Sequence, residues 1–184
     1  YHDETNLLAT LVLDASASMG FGSGALTKLR YATCLAAALG FLFHAQRDAV
    51  GLALVDARVR QIVPPKGTAR HLSGIFALLE GAVAKGPTRL AGAIHSLAER
   101  LPRRGVVVVL SDFLDDPRAV IASLEHLRHR EADVLAFHLL DPAEESFPFQ
   151  RWTVFRDSED PSVAVRLDAR QVRELYDENL AAHL

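Results

Sequence analysis

The chain has 184 residues, 49% of them hydrophobic and 23% charged, which suits one globular domain with a full core. Its formal net charge of −3, from 20 basic and 23 acidic side chains, speaks against non-specific nucleic-acid binding, which calls for a basic excess. Cys34 is the only cysteine, so an intrachain disulfide is excluded and a reducing, cytoplasmic setting is expected.

The chain starts at Tyr1, directly before a core strand, and so reads as a segment of a longer protein. Leu7 to Leu13 is an apolar run rich in Leu and Val, the pattern of a buried strand, and it ends abruptly at Asp14. The glycine-rich stretch Gly20 to Gly24 is expected to be a mobile surface loop. It is not a phosphate loop, because no Gly-Lys-Ser/Thr follows. A long helix is predicted from Leu26 to Ala45, apolar on most sides and therefore heavily covered. Its apolar part, Tyr31 to Phe43, falls short of the roughly 20 residues a bilayer span needs, so no membrane span is expected in this segment. Any membrane anchor is left to a region outside it.

Val50 to Val55 and Val59 to Val63 read as two strands joined by Asp56-Ala57-Arg58, too short a link for anything but an antiparallel hairpin. Pro64-Pro65 is expected to stop the second strand and to mark it as a sheet edge. Helices follow from Ala69 to Val83 and, after the Lys85-Gly86-Pro87 turn, from Thr88 to Arg100. Val106 to Leu110 is continuously apolar, as in a central parallel strand, and ends at Ser111-Asp112. Pro117 suits the first turn of a helix to Arg130, Val134 to Leu140 is a further strand, and Trp152 to Phe155 with Val163 to Leu167 suggests a late hairpin or a strand with an extended approach. Asp168 caps a last helix to Ala182. Phe147-Pro148-Phe149 and Trp152 are either a contact patch or packing for the last strand, and His126 and His129 read as a solvated helix face rather than a zinc site. Alternating strands and helices imply an α/β fold: a mostly parallel central sheet, one antiparallel edge strand, and helices on both faces.

Oxygen donors collect after three of these elements. Asp14, Ser16 and Ser18 alternate just past the first strand, Thr88 follows Gly86-Pro87, and Asp112 follows the Val106 strand. The carboxyl ends of strands are where open α/β sheets bind ligands. Hydroxyls and carboxylates without Cys or His suit Mg²⁺ or Mn²⁺ better than zinc.

The order Asp-x-Ser-x-Ser, distant Thr, distant Asp resembles the metal-ion-dependent adhesion site of von Willebrand factor A domains: DASAS at Asp14 to Ser18, GPTRL at Gly86 to Leu90, LSDF at Leu110 to Phe113. The ETNL approach (Glu4 to Leu7), the SASMGF turn (Ser16 to Phe21), LSDFLDDP (Leu110 to Pro117) and LLDPAE (Leu139 to Glu144) are similar to the bacterial DUF58 group of such domains. The resemblance spans nearly the whole chain. It implies one Rossmann-like three-layer domain over residues 1–184, the carboxy-terminal part of a longer protein. It also implies Mg²⁺ or Mn²⁺ on Asp14, Ser16, Ser18, Thr88 and Asp112. The ion would bind an acidic side chain of a protein partner, and the implied partner is a MoxR-type AAA+ ATPase. Arg89 follows Thr88 where many family members carry Asp; it is expected either at the metal rim or turned to solvent.

Two other functions fit parts of the pattern. A phosphatase of the haloacid-dehalogenase type also starts with Asp after a first strand, but it needs a general acid two residues later, where this chain has Ser16. A metal-free scaffold domain is the other, kept open by Arg89.

Overall fold

The structure, a computed structural model, describes residues 7–160 and 162–183. Residues 4–6 of the ETNL approach lie outside them. Five strands build the main sheet in the order β3-β2-β1-β4-β5. They are β1 (Leu8–Asp14), β2 (Ala49–Val55), β3 (Val59–Lys66), β4 (Gly105–Ser111) and β5 (Ala132–His138). β1, β2, β4 and β5 run parallel, and β3 is the antiparallel edge. A separate two-stranded hairpin, β6 (Trp152–Arg156) and β7 (Ala164–Asp168), follows later in the chain.

Residues alternate between the two faces of a strand, so the central strand β1 feeds two cores. On one face Leu11 and Leu13 pack with Leu29 and Ala32 of α1 (Lys28–Ala45) and Leu72 and Ile75 of α2 (Ala69–Glu80). On the other, Val12 and Val109 pack with Ile94 and Leu97 of α3 (Leu90–Ala98) and Leu127 of α4 (Pro117–His129). Both faces are apolar because both are covered, which gives the three-layer, Rossmann-like architecture expected. Central β1 and its neighbour β4 bring Asp14 and Ser111 together at their carboxyl ends, and Asp112 follows directly after β4. Among the described residues no helix is long and apolar enough to cross a membrane.

Several expectations need correction. β3 continues through Pro64 and Pro65 to Lys66. It is an edge strand, so amides that proline lacks are not needed on its outer side. The register shifts between Val50 and Leu52, and Gly51 lets the prolines approach: a Cβ there would stand 2.8 Å from the Val63 carbonyl and 2.9 Å from the Pro65 nitrogen. α1 is covered on one side only; Tyr31, Phe41 and Leu42 are more than half exposed, at 54%, 62% and 52%. Its small residues Ala32, Ala36 and Gly40 bring that side close to the sheet and leave the opposite side in water. α3 starts at Leu90, not Thr88. Its N-cap is Arg89, which offers no side-chain acceptor, and Asp115 Oδ2 instead accepts from the Ala91 amide at 3.0 Å. β5 lies two residues earlier than expected and ends at His138.

Two short elements were not anticipated: a 3₁₀ turn at Ala17–Gly20 and α5 (Pro142–Ser146), which a capping box between Asp141 and Glu144 sustains. Asp141 also accepts from the Ser23 amide and hydroxyl, so the glycine-rich loop is tied down rather than free. Phe147 is buried and stacks on Phe155 and on Tyr176 of α6 (Ala169–His183), so this cluster packs the hairpin and last helix, while Trp152 stays 66% exposed.

Candidate functional site

β1 is one of the most deeply buried segments, and Asp14 ends it at 1% exposure. Its Oδ1 accepts from the Ser16 amide at 2.9 Å, the side chain-to-backbone turn that Asp favours. Its Oδ2 accepts from Ser111 Oγ at 2.5 Å. Burial pushes the Asp14 carboxyl above the ordinary carboxylate range; the Ser111 hydroxyl and Ser16 amide pull it back, and neighbouring Asp112 adds to the rise.

The turn after Asp14 directs two hydroxyls at each other, with Ser16 Oγ 3.1 Å from Ser18 Oγ. A third joins from a distant segment, with Thr88 Oγ1 3.4 Å from Ser18 Oγ. Backbone bonds hold that segment in place: the Ala17 amide donates to the Gly86 carbonyl at 2.9 Å and the Lys85 amide to the Ala15 carbonyl at 3.0 Å. Gly86 has φ +79°, which side chains other than glycine's rarely adopt, and a Cβ there would stand 3.1 Å from Asp56 Oδ2. Asp56 does more than turn the β2–β3 hairpin. It holds Arg60 Nε at 2.5 Å, and Arg60 reaches over to the carbonyls of Val83, at 3.0 Å, and Lys85.

Asp112 is fully buried after β4, but it does not join the hydroxyl row. Its Oδ2 accepts from Lys28 Nζ at 2.8 Å, and the same ammonium donates to Glu144 Oε1 at 2.6 Å. The structure therefore brings Ser16, Ser18 and Thr88 into one row with Asp14 beside it, and ties Asp112 to a cation of the chain itself. Arg89 is exposed and forms no ion pair among the described residues. His126 meets His95 at 3.0 Å and Glu99 at 3.3 Å on the surface.

The donor set suits a small hard cation. Oxygens at neighbouring corners of an octahedral Mg²⁺ shell lie about 2.9 Å apart, given Mg–O distances of about 2.0–2.1 Å. The observed spacings of 3.1 and 3.4 Å need only a slight contraction to match. Asp14 is a buried carboxylate with no ion pair among the described residues, the charge a divalent ion would balance. No three His, Cys, Asp or Glu side chains gather into a metal-holding group among the described residues, so any cation here depends on hydroxyls.

Sequence reading missed Lys28 and Ser111. The signal for Ser111 lay in its place at the same strand end as Asp112. For Lys28 it was a lysine at the start of a largely apolar helix, since a lysine is almost never fully buried unless paired.

The family model "Protein of unknown function DUF58" matches residues 1–184. Over 152 residues the chain is 32% identical to "Uncharacterized protein Rv1480" of Mycobacterium tuberculosis (strain ATCC 25618 / H37Rv) and to "Uncharacterized protein Mb1516" of Mycobacterium bovis, covering 81% of this chain and 47% of each relative. The chain thus spans about half the length of the curated relatives it matches. Among solved structures, an aerotolerance-related membrane protein from Bacteroides fragilis NCTC 9343 aligns with TM-score 0.59 at 16% identity, covering 97% of this chain and 88% of that one. BatB from Bacteroides thetaiotaomicron aligns with TM-score 0.58 at 15% identity, covering 95% and 86%. At these identities the likeness concerns the fold alone.

Proposed function

The chain belongs to the DUF58 family, and from that membership, its von Willebrand factor A-like fold and the donor set at the ends of β1 and β4 we propose a non-enzymatic, divalent-metal-dependent protein-interaction module. Mg²⁺ or Mn²⁺ would be held by the hydroxyls of Ser16, Ser18 and Thr88, with Asp14 and Asp112 as the balancing carboxylates. Bound there, the ion supplies an electrophilic corner for a carboxylate of another protein. The chain's own residues do the rest. Ser111 and the Ser16 amide orient Asp14, and the Gly86 loop holds Thr88 against Ser18. The observation that carries this reading is the hydroxyl row, spaced 3.1 and 3.4 Å beside a buried carboxylate that has no ion pair among the described residues. The partner would offer Asp or Glu, and the family resemblance makes a MoxR-type AAA+ ATPase the first candidate.

Capture from native lysate with and without a chelator tests the proposal. An ATPase recovered by the parent only with divalent cation, and not recovered by Asp14→Ala, is expected. Equal recovery by both chains, combined with no Mn²⁺ uptake in a direct titration, overturns it.

One observation favours a second reading. Lys28 already neutralises Asp112, as it would in a metal-free binding domain. That reading wins if Asp14→Ala and Ser16→Ala chains capture the same partners as the parent. The haloacid-dehalogenase alternative lacks its general acid, because Ser16 stands where that chemistry needs a carboxylate.

A further inference from the structure

The β6–β7 hairpin pairs with no strand of the main sheet, and its tip carries the acidic run Asp157-Ser158-Glu159-Asp160. Asp157 Oδ1 folds this tip by accepting from the amides of Glu159, at 2.7 Å, and Asp160, at 3.3 Å. Bonds from the Asp157 amide to the Val163 carbonyl, 3.0 Å, and from the Val163 amide to the Asp160 carbonyl, 2.9 Å, close it. So built, the tip sends one carboxylate across the molecule: Glu159 Oε1 accepts from the Thr88 amide at 2.6 Å, over 71 residues of sequence.

Thr88 is the residue whose hydroxyl ends the row at Ser18. Its amide and hydroxyl are separated only by Cα and Cβ, so Glu159 brings an acid to the rim where a partner's acid would dock. Helix capping does not account for the contact. α3 begins two residues later, at Leu90, and Asp115 serves its first turn. Neither does a structural ion pair, since Glu159 is exposed and forms none among the described residues. Phe155 anchors the body of the hairpin on Phe147, and the hairpin forms a sheet of its own, so its tip can leave Thr88 without breaking a pairing of the main sheet.

We propose that Glu159 is an internal ligand of the candidate site, occupying the docking corner until an acid from another protein displaces it. The inference rests on the reading of a cation at the hydroxyl row. A tethered acid presents an effective concentration in the millimolar range. Where the site binds such an acid with a dissociation constant of about 0.1 mM, a free acidic peptide should therefore bind the parent about tenfold more weakly than a chain lacking Glu159.

The test uses the full 184-residue chain, parent and Glu159→Ala. Mn²⁺ is titrated by calorimetry, and binding of a fluorescently labelled peptide copying residues 157–162 is read by anisotropy in excess Mn²⁺. The expected result is Mn²⁺ binding by both chains, with the peptide about tenfold tighter on Glu159→Ala and released by chelator. A tip that merely supported the fold would move peptide affinity the other way. Mn²⁺ binding by both chains with equal or weaker peptide binding to Glu159→Ala overturns the internal ligand and leaves the metal site standing. Absence of Mn²⁺ binding by the parent overturns both.

Discussion

Lys28 offers the sharpest test of how the site is charged. Its side chain is 2% exposed and its ammonium lies 2.8 Å from Asp112 Oδ2, in a carboxylate with no exposure at all. Substituting Lys28→Met keeps most of the volume but leaves Asp112 buried and uncompensated, a change that costs about 3–5 kcal/mol. Against a total stability of about 5–15 kcal/mol this is a large fraction. At about 2–4 °C per kcal/mol for a chain of this size, it lowers the melting temperature by roughly 6–20 °C. The double variant Lys28→Met/Asp112→Asn removes the stranded charge and should recover most of the loss. Magnesium at about a hundred times its dissociation constant should restore about 2.7 kcal/mol to the single variant, because an ion that binds only the folded chain stabilises it by mass action. Urea and thermal unfolding in chelator, then in magnesium, measure all three quantities. A loss below about 1 kcal/mol in chelator, the value of an exposed pair, would refute the argument that Lys28 and Asp112 form a desolvated couple.

Asp14 sets a pH dependence. Burial holds its carboxyl above the ordinary range, so below about pH 4 both folded and unfolded chains carry the proton and there is no penalty. As pH rises from there through the folded value, the unfolded chain loses its proton first and stability falls. In chelator, Asp14→Asn should flatten this slope relative to the parent, and superimposable profiles from pH 3 to 8 would contradict the assignment. Gly86→Ala, at φ +79° and with its Cβ 3.1 Å from Asp56 Oδ2, should lose about 1–2 kcal/mol in chemical unfolding. It should also weaken Mn²⁺ uptake by shifting Thr88 from Ser18. Unchanged stability would show that the loop relaxes freely.

The layers of this fold were legible because they depend on local pattern. Val106 to Leu110 is apolar at every position and Leu7 to Leu13 at every position but Thr10, the pattern of strands covered on both faces, and Asp56-Ala57-Arg58 is too short to permit a crossover. Pro64-Pro65 marked β3 as an edge, as the sheet order bears out, but was misread as its stop, because the register shift opposite, which Gly51 permits, lies in β2 and is not announced by the residues of β3. α1 was misread because alanine and glycine set how closely its inner side approaches the sheet, while Phe41 and Leu42 give the same apolar pattern whether or not anything covers them. At the site, Asp14, Ser16 and Ser18 could be grouped by their spacing along one turn. The couple of Lys28 with Asp112 and the reach of Glu159 to Thr88 span 84 and 71 residues, and no local periodicity encodes such contacts.

The central claim is that one divalent ion sits at the Ser16–Ser18–Thr88 row. Its most direct test is anomalous diffraction from crystals of the chain grown in excess manganese. A single manganese peak at coordination distance from Ser16 Oγ, Ser18 Oγ and Thr88 Oγ1 is the expected result. A well-ordered row with no anomalous density beside it, and Lys28 still seated on Asp112, would contradict the claim.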